Sequence, residues 1–273
     1  MIVTNIVGGL GNQMFMYAAG RGLALRHGVP LKLDLCPFRR YTLRRFELDR
    51  FALSYQEATA DDLSVIADNG SIFREQDPFR FQPKLGELPP PLYIRGYFQS
   101  FRYLQGHEDV MQREFTFLDP PGELDSRILE MASASPSVAL HVRRGDYVSN
   151  PTTNAVHGVL SMDYYGAALR LLRERVGTFR VFVFSDDPYW AQTHLRFDGQ
   201  TVFVSHNHGV NGFQDMRLMA GCHHHVIANS SFSWWGAWLS RAKDKIVCAP
   251  RRWMNRAIEI GDLIPPDWTL IDV

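Results

Sequence analysis

Residues 137–147 read Ser137-Val-Ala-Leu-His-Val-Arg-Arg-Gly-Asp-Tyr147, and this stretch decides the fold of the second half of the chain. Apolar residues alternate through its first half, which predicts a buried β-strand. Arg143, Arg144 and Asp146 then lie around a glycine at the point where that strand would end. Two guanidinium groups at the carboxyl end of an α/β strand predict planar, bidentate binding of an anion, typically a diphosphate. The alternative is a structural ion pair, in which one arginine binds Asp146 and the other faces solvent.

The composition of the 273 residues indicates an ordinary globular protein of one large domain or two small ones. Hydrophobic residues make up 45% and charged residues 21% of the chain, which are usual fractions. The 29 Lys and Arg residues balance the 29 Asp and Glu residues, so no overall field favours nucleic acid or an anionic membrane surface. Any anion site must therefore be local, and we expect no nucleic-acid partner.

The three cysteines and the first residues bear on the compartment. Cys36, Cys222 and Cys248 are widely spaced and odd in number, which is typical of reduced thiols rather than of a disulfide framework. The chain opens without a basic n-region or a long apolar h-region. No stretch approaches the ~18 consecutive apolar residues that a spanning helix needs. We therefore expect a cytoplasmic protein without a signal peptide or transmembrane segment.

Residues 2–34 predict a strand, a glycine turn, a helix and a second strand. The turn reads Gly8-Gly-Leu-Gly-Asn12, and its glycine spacing differs from the dinucleotide fingerprint G-x-G-x-x-G. Two interpretations are open. The turn either has no role beyond joining the elements, or its glycines let a ligand approach the backbone while Asn12 and Gln13 donate hydrogen bonds at the helix N-terminus.

The first half of the chain ends in a less regular region. Residues 36–91 are rich in Arg, Phe and Pro, and a run of prolines closes the region. The sequence Asp119-Pro-Pro-Gly122 is the best candidate for a domain junction. We therefore divide the chain into an N-terminal domain, residues 1–125, and a C-terminal domain, residues 126–273.

The second half alternates apolar strands with helical patterns. This alternation predicts an α/β fold with a parallel, doubly wound sheet, in which ligands bind beyond the carboxyl ends of the strands. The predicted strands are residues 138–142, 180–184, 201–205, 225–229 and 245–249. The predicted helices are residues 161–175, 187–195, 213–221 and 232–242.

Three of these strands end in polar loops, which meet if the strands are neighbours. Ser230 and Ser231 precede a helix, so hydroxyl and backbone N–H donors can face a phosphate with the helix dipole behind them. Asp186 or Asp187 can accept two N–H donors from one edge of guanine. For one of these two residues the alternative is an N-cap before Pro188. The three loops are residues 143–146, 185–187 and 229–233.

The sequence predicts no metal site. His223, His224 and His225 are consecutive, so their side chains cannot share one face of a strand or helix, and no Cys or carboxylate lies at ligand spacing. No Asp-x-Asp pair is present to hold a divalent ion between phosphates. The two arginines would take the role of such an ion.

Five blocks of sequence together closely resemble the bacterial α-1,2-fucosyltransferases of glycosyltransferase family 11. They occur in the family's order and extend from residue 8 to about residue 239, so the resemblance covers nearly all of the chain. The blocks are Gly8-Gly-Leu-Gly-Asn-Gln-Met14, Gly96-Tyr-Phe-Gln-Ser100, His141-Val-Arg-Arg-Gly-Asp-Tyr147, Phe184-Ser-Asp-Asp187 and Asn229-Ser-Ser-Phe-Ser-Trp-Trp235.

The resemblance implies a fold of the GT-B type, with two Rossmann-like domains whose parallel sheets face a cleft. It implies that residues 126–273 bind GDP-fucose and that residues 1–125 contribute most to acceptor binding. The implied reaction is an inverting, metal-independent transfer of L-fucose from GDP-β-L-fucose to the 2-hydroxyl of a terminal galactoside, in surface polysaccharide or O-antigen synthesis. The implied partners are GDP-fucose and a galactose-terminated glycan, and a lipid-linked acceptor would place the protein at the inner membrane surface.

The resemblance also assigns roles to single residues. Every residue with such a role lies within one of the five blocks. In chain order they are Asn12 and Gln13 facing the donor sugar, His141 supporting the nucleotide, Arg143 and Arg144 clamping the diphosphate, Asp146 supporting that clamp, Asp186 reading guanine, and Ser230, Ser231 and Phe232 holding phosphate and ribose.

The general base and three other functions are left open. Asp146, His157 and Asp34 are candidate bases, and a dissociative transition state needs little base. The other functions are a GDP-sugar transferase with another donor or linkage, a non-catalytic nucleotide-sugar-binding module, and a nicotinamide oxidoreductase. The intact arginine and serine pairs argue against the binding module, and the glycine spacing argues against the oxidoreductase.

Overall fold

The computed structural model describes residues 1–39, 44–197 and 199–272. The chain forms two compact units. Unit 1 comprises Met1–Asp119 and Glu259–Pro265, and unit 2 comprises Pro120–Ile258 and Pro266–Val273. Each unit has a parallel sheet of its own.

Unit 1 is built on a five-stranded sheet. Its strands are β1 (Ile2–Asn5), β2 (Leu31–Asp34), β3 (Gln56–Glu57), β4 (Ser71–Arg74) and β5 (Leu92–Arg95), and its helices are α1 (Leu10–His27), α2 (Ala60–Asn69) and α3 (Glu108–Glu114). The order across the sheet is β3-β2-β1-β5-β4, and each neighbouring pair is parallel. The predicted strand, turn, helix and strand of residues 2–34 are confirmed.

Helix α1 packs against β1 and β2 and is also held to α3. The Tyr17 hydroxyl donates to Oε2 of Glu114 at 2.5 Å, and Nη2 of Arg21 lies 2.7 Å from Oε1 of the same carboxylate. Burial and the bond to Glu114 raise the pKa of Tyr17. The helix ends at Gly28, whose φ of 63° is a left-handed conformation that glycine adopts without strain.

The region of residues 36–91 is more regular than predicted, because it contains β3, α2 and β4. Helix α2 begins with a capping box, in which Thr59 N–H donates to Asp62 Oδ2 at 2.8 Å and Asp62 N–H donates to Thr59 Oγ1 at 3.2 Å. The sequence pattern of these elements is weak since β3 and β4 are largely exposed and Ile66 is the buried residue of α2.

Unit 2 is built on a six-stranded parallel sheet in the order β11-β10-β9-β6-β7-β8. The strands are β6 (Ser137–Val142), β7 (Arg180–Ser185), β8 (Thr201–Val204), β9 (His224–Val226), β10 (Val247–Pro250) and β11 (Thr269–Ile271). The helices are α4 (Glu123–Ser133), α5 (Gly145–Ser149), α6 (Pro151–His157), α7 (Met162–Val176), α8 (Pro188–His194), α9 (Phe213–Ala220) and α10 (Ser231–Leu239). The predicted strands β6 to β10 and helices α7 to α10 are confirmed, whereas α4, α5, α6 and β11 were not predicted.

Strand β6 is the centre of unit 2, and its six residues are all buried. Val138 and Leu140 belong to an apolar cluster that includes Tyr164 of α7. Ala139 belongs to a second cluster, which includes Leu218 of α9. Helices therefore cover both faces of the sheet, as in other parallel sheets.

The division of the chain differs from the predicted boundary after residue 125. Helix α4 contacts α9 and so belongs to unit 2, and Glu259–Pro265 returns to unit 1. In unit 1, Oδ2 of Asp262 accepts from the Phe81 N–H at 2.9 Å, and the Asp262 carbonyl accepts from the Phe101 N–H at 3.0 Å. Such long-range hydrogen bonds leave no pattern in the sequence.

Within residues 1–39, 44–197 and 199–272, none of the helices combines the length and the apolar character needed to cross a membrane.

Glu75 anchors the turn after β5. Its carboxylate accepts from the N–H groups of Tyr97 at 2.6 Å and Phe98 at 2.9 Å, and Phe98 has a φ of 51°. Burial raises the pKa of Glu75 to about 7, against the opposing effect of the two N–H donors. The folded protein therefore holds a proton at Glu75 that the unfolded chain releases above about pH 4.5.

The stability that this proton contributes is expected to be present below about pH 4.5 and to be lost as the pH rises through about 7. The loss is up to about 3 kcal/mol in the free energy of unfolding. Urea unfolding of the wild type and of Glu75→Gln across this pH range measures the loss. Burial also raises the pKa of Asp215 to about 7, but the contribution of Asp215 is common to both proteins and cancels in their difference. Parallel pH profiles for the two proteins would contradict the assignment.

Candidate active site

The candidate site lies at the topological switch point of the sheet in unit 2. The chain runs from β6 outward through β7 and β8, and then returns to the other side of β6 with β9. The carboxyl ends of β6, β7 and β9 therefore lie side by side, where ligands bind in open α/β sheets. The three polar loops that follow these strands meet there, as the sequence predicted.

Arg143 is held between two carboxylates. Its Nη2 lies 2.5 Å from Oδ1 of Asp146, and its Nη1 lies 2.7 Å from Oδ2 of Asp186. The guanidinium also lies over the ring of Tyr147, with Cζ 5.2 Å from the ring centroid. The side chain keeps 21% of its surface exposed, so a ligand can reach it.

Arg144 is held by packing as well as by charge. Its Cζ lies 3.7 Å above the ring centroid of Trp190, and its Nε lies 3.5 Å from Oδ2 of Asp187. Its backbone N–H donates to Oδ1 of Asp186 at 2.8 Å. The alternative of one paired and one solvent-facing arginine is therefore wrong for Arg144, of which 17% is exposed. We call Arg143 and Arg144 together the arginine clamp.

The two aspartates after β7 have different environments. Oδ1 of Asp187 accepts from the Trp190 N–H at 3.1 Å and caps α8, with Pro188 at its first position. Asp186 instead contacts both residues of the arginine clamp. We infer that Asp186 positions the clamp, whereas guanine recognition by Asp186 stays a prediction.

Gly145 permits the close approach of these loops. A Cβ atom at this position would collide with the carboxylate of Asp186. Any other residue at position 145 would therefore displace the Asp186 carboxylate from its place beside the arginine clamp.

His141 lies in β6 and is buried. Burial, with a smaller effect of Arg143, lowers its pKa to about 3, so its ring is neutral at pH 7. The ring centroid lies 6.0 Å from that of Phe232, so the end of β6 and the first turn of α10 are close to each other. Their support of the nucleotide stays a prediction.

Ser230 caps helix α10. Its Oγ accepts from the Phe232 N–H at 3.4 Å, and its carbonyl accepts from Oγ of Ser233 at 3.3 Å. The cap places Ser230 and the first turn of α10 in the loop that follows β9, and the first N–H groups of a helix are available to an anion. Phosphate binding by Ser230, Ser231 and Phe232 stays a prediction that this geometry allows.

Asn229 joins the loops around the site. It is 2% exposed, and its Nδ2 donates to the carbonyls of His157 at 3.0 Å and Trp253 at 3.2 Å. Its own carbonyl accepts from the Tyr147 hydroxyl at 3.2 Å. One buried side chain thus fixes segments that follow β6, β9 and β10.

In unit 1, the side chain of Gln13 is bound within the protein, and its predicted role toward the donor stays a prediction. The side chain is fully buried, its Nε2 donates to the carbonyls of Gly8 and Arg45, both at 2.8 Å, and its Oε1 accepts from the Glu47 N–H at 2.9 Å. All of these bonds are internal, so Gln13 fastens the glycine turn to residues 45–47. Asn12 is bound through its Oδ1 to Nε2 of Gln99 at 2.8 Å, and its role toward the donor stays a prediction.

The structure places the three candidate bases in different environments. Asp34 is buried, and its oxygens accept from the Tyr93 hydroxyl at 2.7 Å and the Cys36 N–H at 3.0 Å, so its role is structural. Asp146 is engaged by Arg143. Burial lowers the pKa of His157 and leaves its ring neutral at pH 7, stacked 4.7 Å from the ring of Tyr147.

The sequence model of Glycosyl transferase family 11 matches residues 82–272, which include every loop of the switch point in unit 2. The chain belongs to glycosyl transferase family 11. This membership confirms the resemblance found in the five sequence blocks and makes the protein a glycosyltransferase.

Two relatives from Escherichia coli extend the likeness over the whole chain. The alpha-1,2-colitosyltransferase is 33% identical over 100% of this chain and 99% of its own length. The O-antigen biosynthesis glycosyltransferase WbnK is 33% identical over 90% of this chain and 92% of its own length. One of these two relatives of the family 11 protein is thus named for O-antigen biosynthesis.

A solved structure supports the fold. The fucosyltransferase NodZ from Bradyrhizobium superposes with a TM-score of 0.51 at 14% identity, over 86% of this chain and 91% of NodZ. This likeness and the two parallel sheets confirm the predicted α/β fold of the GT-B type.

Three residues of the site were given no role from the sequence of this family 11 protein. Tyr147 follows Arg143 by four residues, a spacing at which side chains meet on a helix, and this signal was available. Trp190 and Asn229 act through contacts with distant residues, for which the sequence carries no signal.

The described residues of this family 11 protein contain no group of three or more His, Cys, Asp or Glu side chains arranged to hold a metal ion. The consecutive histidines have different surroundings. Nδ1 of His223 lies 2.8 Å from Oγ of Ser137. His225 is buried in β9, where burial lowers its pKa well below the usual value.

Proposed function

We propose that this family 11 enzyme transfers L-fucose from GDP-β-L-fucose to the 2-hydroxyl of a terminal galactoside, with inversion to an α-1,2 linkage. The observation that carries the proposal is the arginine clamp, held by Asp146, Asp186 and Trp190 at the switch point of a nucleotide-binding type of sheet. Unit 2 would bind the donor, and the reaction would serve O-antigen or surface polysaccharide synthesis in the cytoplasm.

The arginine clamp supports this reaction through the charge of the leaving group. Transfer breaks the bond between C1 of fucose and the β-phosphate oxygen, and the electron pair stays on that oxygen. Donors that are already fixed in place stabilise the new charge without reorganising. Asp146, Asp186 and the rings of Tyr147 and Trp190 fix the two guanidinium groups before the donor binds.

The acceptor completes the reaction. Its 2-hydroxyl oxygen forms a bond to C1 on the face opposite GDP, and the hydroxyl proton leaves to a base or to solvent. The proposal assigns no step to a metal ion, because the two guanidinium groups can neutralise the diphosphate. Asp146 is in an ion pair with Arg143 and Asp34 is buried in hydrogen bonds, so His157, whose ring is neutral at pH 7, is the base candidate that remains.

The relatives give more direct support to the α-1,2 linkage than to GDP-fucose as the donor. The names of the colitosyltransferase and of the mammalian galactoside fucosyltransferases both specify α-1,2 transfer. Crystals of NodZ were soaked with GDP-fucose. Colitose is a fucose that lacks the 3-hydroxyl, so transfer of colitose from GDP-colitose is the second candidate function.

The test combines the purified protein, EDTA, a panel of β-galactosides and either GDP-fucose or GDP-colitose. GDP release and product mass are followed together, and the product linkage is determined by NMR. We expect an α-1,2-fucosylated product in the presence of EDTA. A product from GDP-colitose alone would replace the proposed donor, and loss of product on adding EDTA would overturn the metal independence.

Asp186 gives a sharper test of the nucleotide site. Because its carboxylate holds Arg143 and the Arg144 N–H, Asp186→Asn is expected to weaken the binding of GDP and of inosine diphosphate by the same factor, about tenfold. Inosine diphosphate lacks the 2-amino group of guanine, so calorimetric titration with both nucleotides separates positioning from base recognition. If the variant binds GDP as weakly as wild type binds inosine diphosphate, Asp186 reads guanine instead.

A further inference from the structure

A cavity of about 510 Å³ lies in unit 2 beside the candidate active site. Its walls are the connection between α6 and α7, from His157 to Ser161, and the segment that follows β10, from Pro250 to Ile258. The volume is within the range of sites for small ligands. None of the residues assigned to the arginine clamp or its carboxylates lines this cavity.

The charges of the cavity lining are unbalanced. Arg251, Arg252 and Arg256 line it together with one carboxylate, Asp272. Arg251 forms an ion pair with Asp272. Arg252 donates from Nη2 to Oδ1 of Asn255 at 2.8 Å, and among the described residues neither Arg252 nor Arg256 forms an ion pair with a carboxylate. The lining thus carries two positive charges without a counter-charge.

The segment that carries these arginines is held in place. Nδ2 of Asn255 donates to the carbonyl of Asn154 at 2.7 Å, and the Asn255 N–H donates to the carbonyl of Val156 at 2.9 Å. Trp253 is buried, and its carbonyl accepts from Asn229 at 3.2 Å. The arginines therefore extend from a fixed wall, which lowers the entropic cost of binding an anion.

The cavity is linked to the arginine clamp through stacked rings. His157 lines the cavity and stacks on Tyr147 with the rings 7° from parallel. The guanidinium of Arg143 also lies over the Tyr147 ring, with Cζ 5.2 Å from its centroid. One pair of stacked rings therefore connects the cavity lining to the arginine clamp.

We propose that this cavity binds an oxyanion, a phosphate or a carboxylate, carried by the acceptor glycan. The assignment to the acceptor rests on the proposed function, in which the clamp is filled by the diphosphate of the donor. Guanidinium groups bind phosphate and carboxylate by the same paired N–H geometry. Trp253 and Leu160 give the wall apolar surface against which a sugar ring can pack.

The binding test uses inorganic diphosphate as the probe and isothermal titration calorimetry as the measurement. The protein is first saturated with GDP, so that the arginine clamp is filled. We expect one further equivalent of diphosphate to bind, with an affinity at least about tenfold weaker in the double variant Arg252→Ala/Arg256→Ala. The matched control is Arg127→Ala/Arg170→Ala, which removes two exposed charges from unit 2 away from the cavity and should bind as the wild type does.

Two results would overturn the anion site. One is that GDP-saturated wild type binds no diphosphate, which would mean that the cavity does not bind this probe. The other is equal binding of diphosphate by the wild type and by Arg252→Ala/Arg256→Ala, which we call the cavity variant. Neither result depends on transfer activity, so failure of the site can be distinguished from failure of the proposed function.

Acceptor kinetics then identify the source of the oxyanion. Three galactosides are compared: one with a neutral aglycone, one with a diphosphate at its reducing end, and one with a uronic acid. We expect the cavity variant to raise KM for one of the two charged acceptors at least about tenfold more than for the neutral acceptor. The acceptor that shows this effect identifies phosphate or carboxylate, and equal changes for all three acceptors would overturn the assignment to the acceptor.

Discussion

Arg143→Ala is expected to lower the turnover of fucose transfer at least about a hundredfold while the protein stays folded. Removing one fixed donor from a developing negative charge costs about 10²–10³ in rate. Arg143 is the member of the arginine clamp that two carboxylates hold, at 2.5 and 2.7 Å, so its position is the more strongly fixed. Initial rates with saturating GDP-fucose and acceptor measure the change.

Arg143→Lys separates charge from geometry. Lysine keeps the positive charge between Asp146 and Asp186, but it cannot make the paired N–H contacts of a guanidinium. We expect a turnover between those of the wild type and of Arg143→Ala. Arg170→Ala, which removes an exposed charge in the same unit, is the matched control and should keep the wild-type rate. A folded Arg143→Ala protein with near wild-type turnover would refute the role of the clamp.

Asn229→Asp is expected to lower the free energy of unfolding by about 2–4 kcal/mol. The substitution keeps the shape of the side chain but replaces the Nδ2 donor with an oxygen that faces the carbonyls of His157 and Trp253. The buried Trp253 carbonyl and the half-buried His157 carbonyl lose their donor, and a carboxylate is placed where it has none. Urea unfolding at neutral pH measures the loss.

The matched control for this variant is Asn255→Asp. Nδ2 of Asn255 also donates to backbone carbonyls, at 2.7 Å to Asn154, but the residue is exposed, so water can replace the lost bond. We expect a loss below about 1 kcal/mol. Equal losses in the two variants would show that burial of Asn229 does not decide its contribution.

The sequence predicted the parts of the fold whose signal is local. Strand β6 is recognisable because it is apolar and ends in two arginines, and the neighbouring strands share its apolar character. Asp187 before Pro188 has the pattern of an N-cap, which the structure confirms. The meeting of the three polar loops follows from the parallel sheet alone.

The remaining features depend on contacts between distant residues. Helices α5 and α6 are short, with five and seven residues, and present little apolar pattern. Gln13 has the same polar side chain whether it faces a ligand or the backbone of Arg45, so its burial could not be read from the chain. The stacking of Arg144 on Trp190 joins the segment after β6 to helix α8, and this contact depends on the pairing of β6 with β7.

The return of Glu259–Pro265 to unit 1 and of Pro266–Val273 to unit 2 has a consequence for synthesis on the ribosome. Neither unit is complete until residues 259–271 have left the exit tunnel: unit 1 then gains Asp262, and unit 2 gains its edge strand β11. The nascent chain before that point exposes the unpaired edge of β10, to which β11 binds in the finished protein. Both units are therefore completed only after residues 259–271 have emerged, and a ribosome stalled before residue 259 would hold both in an unfinished state.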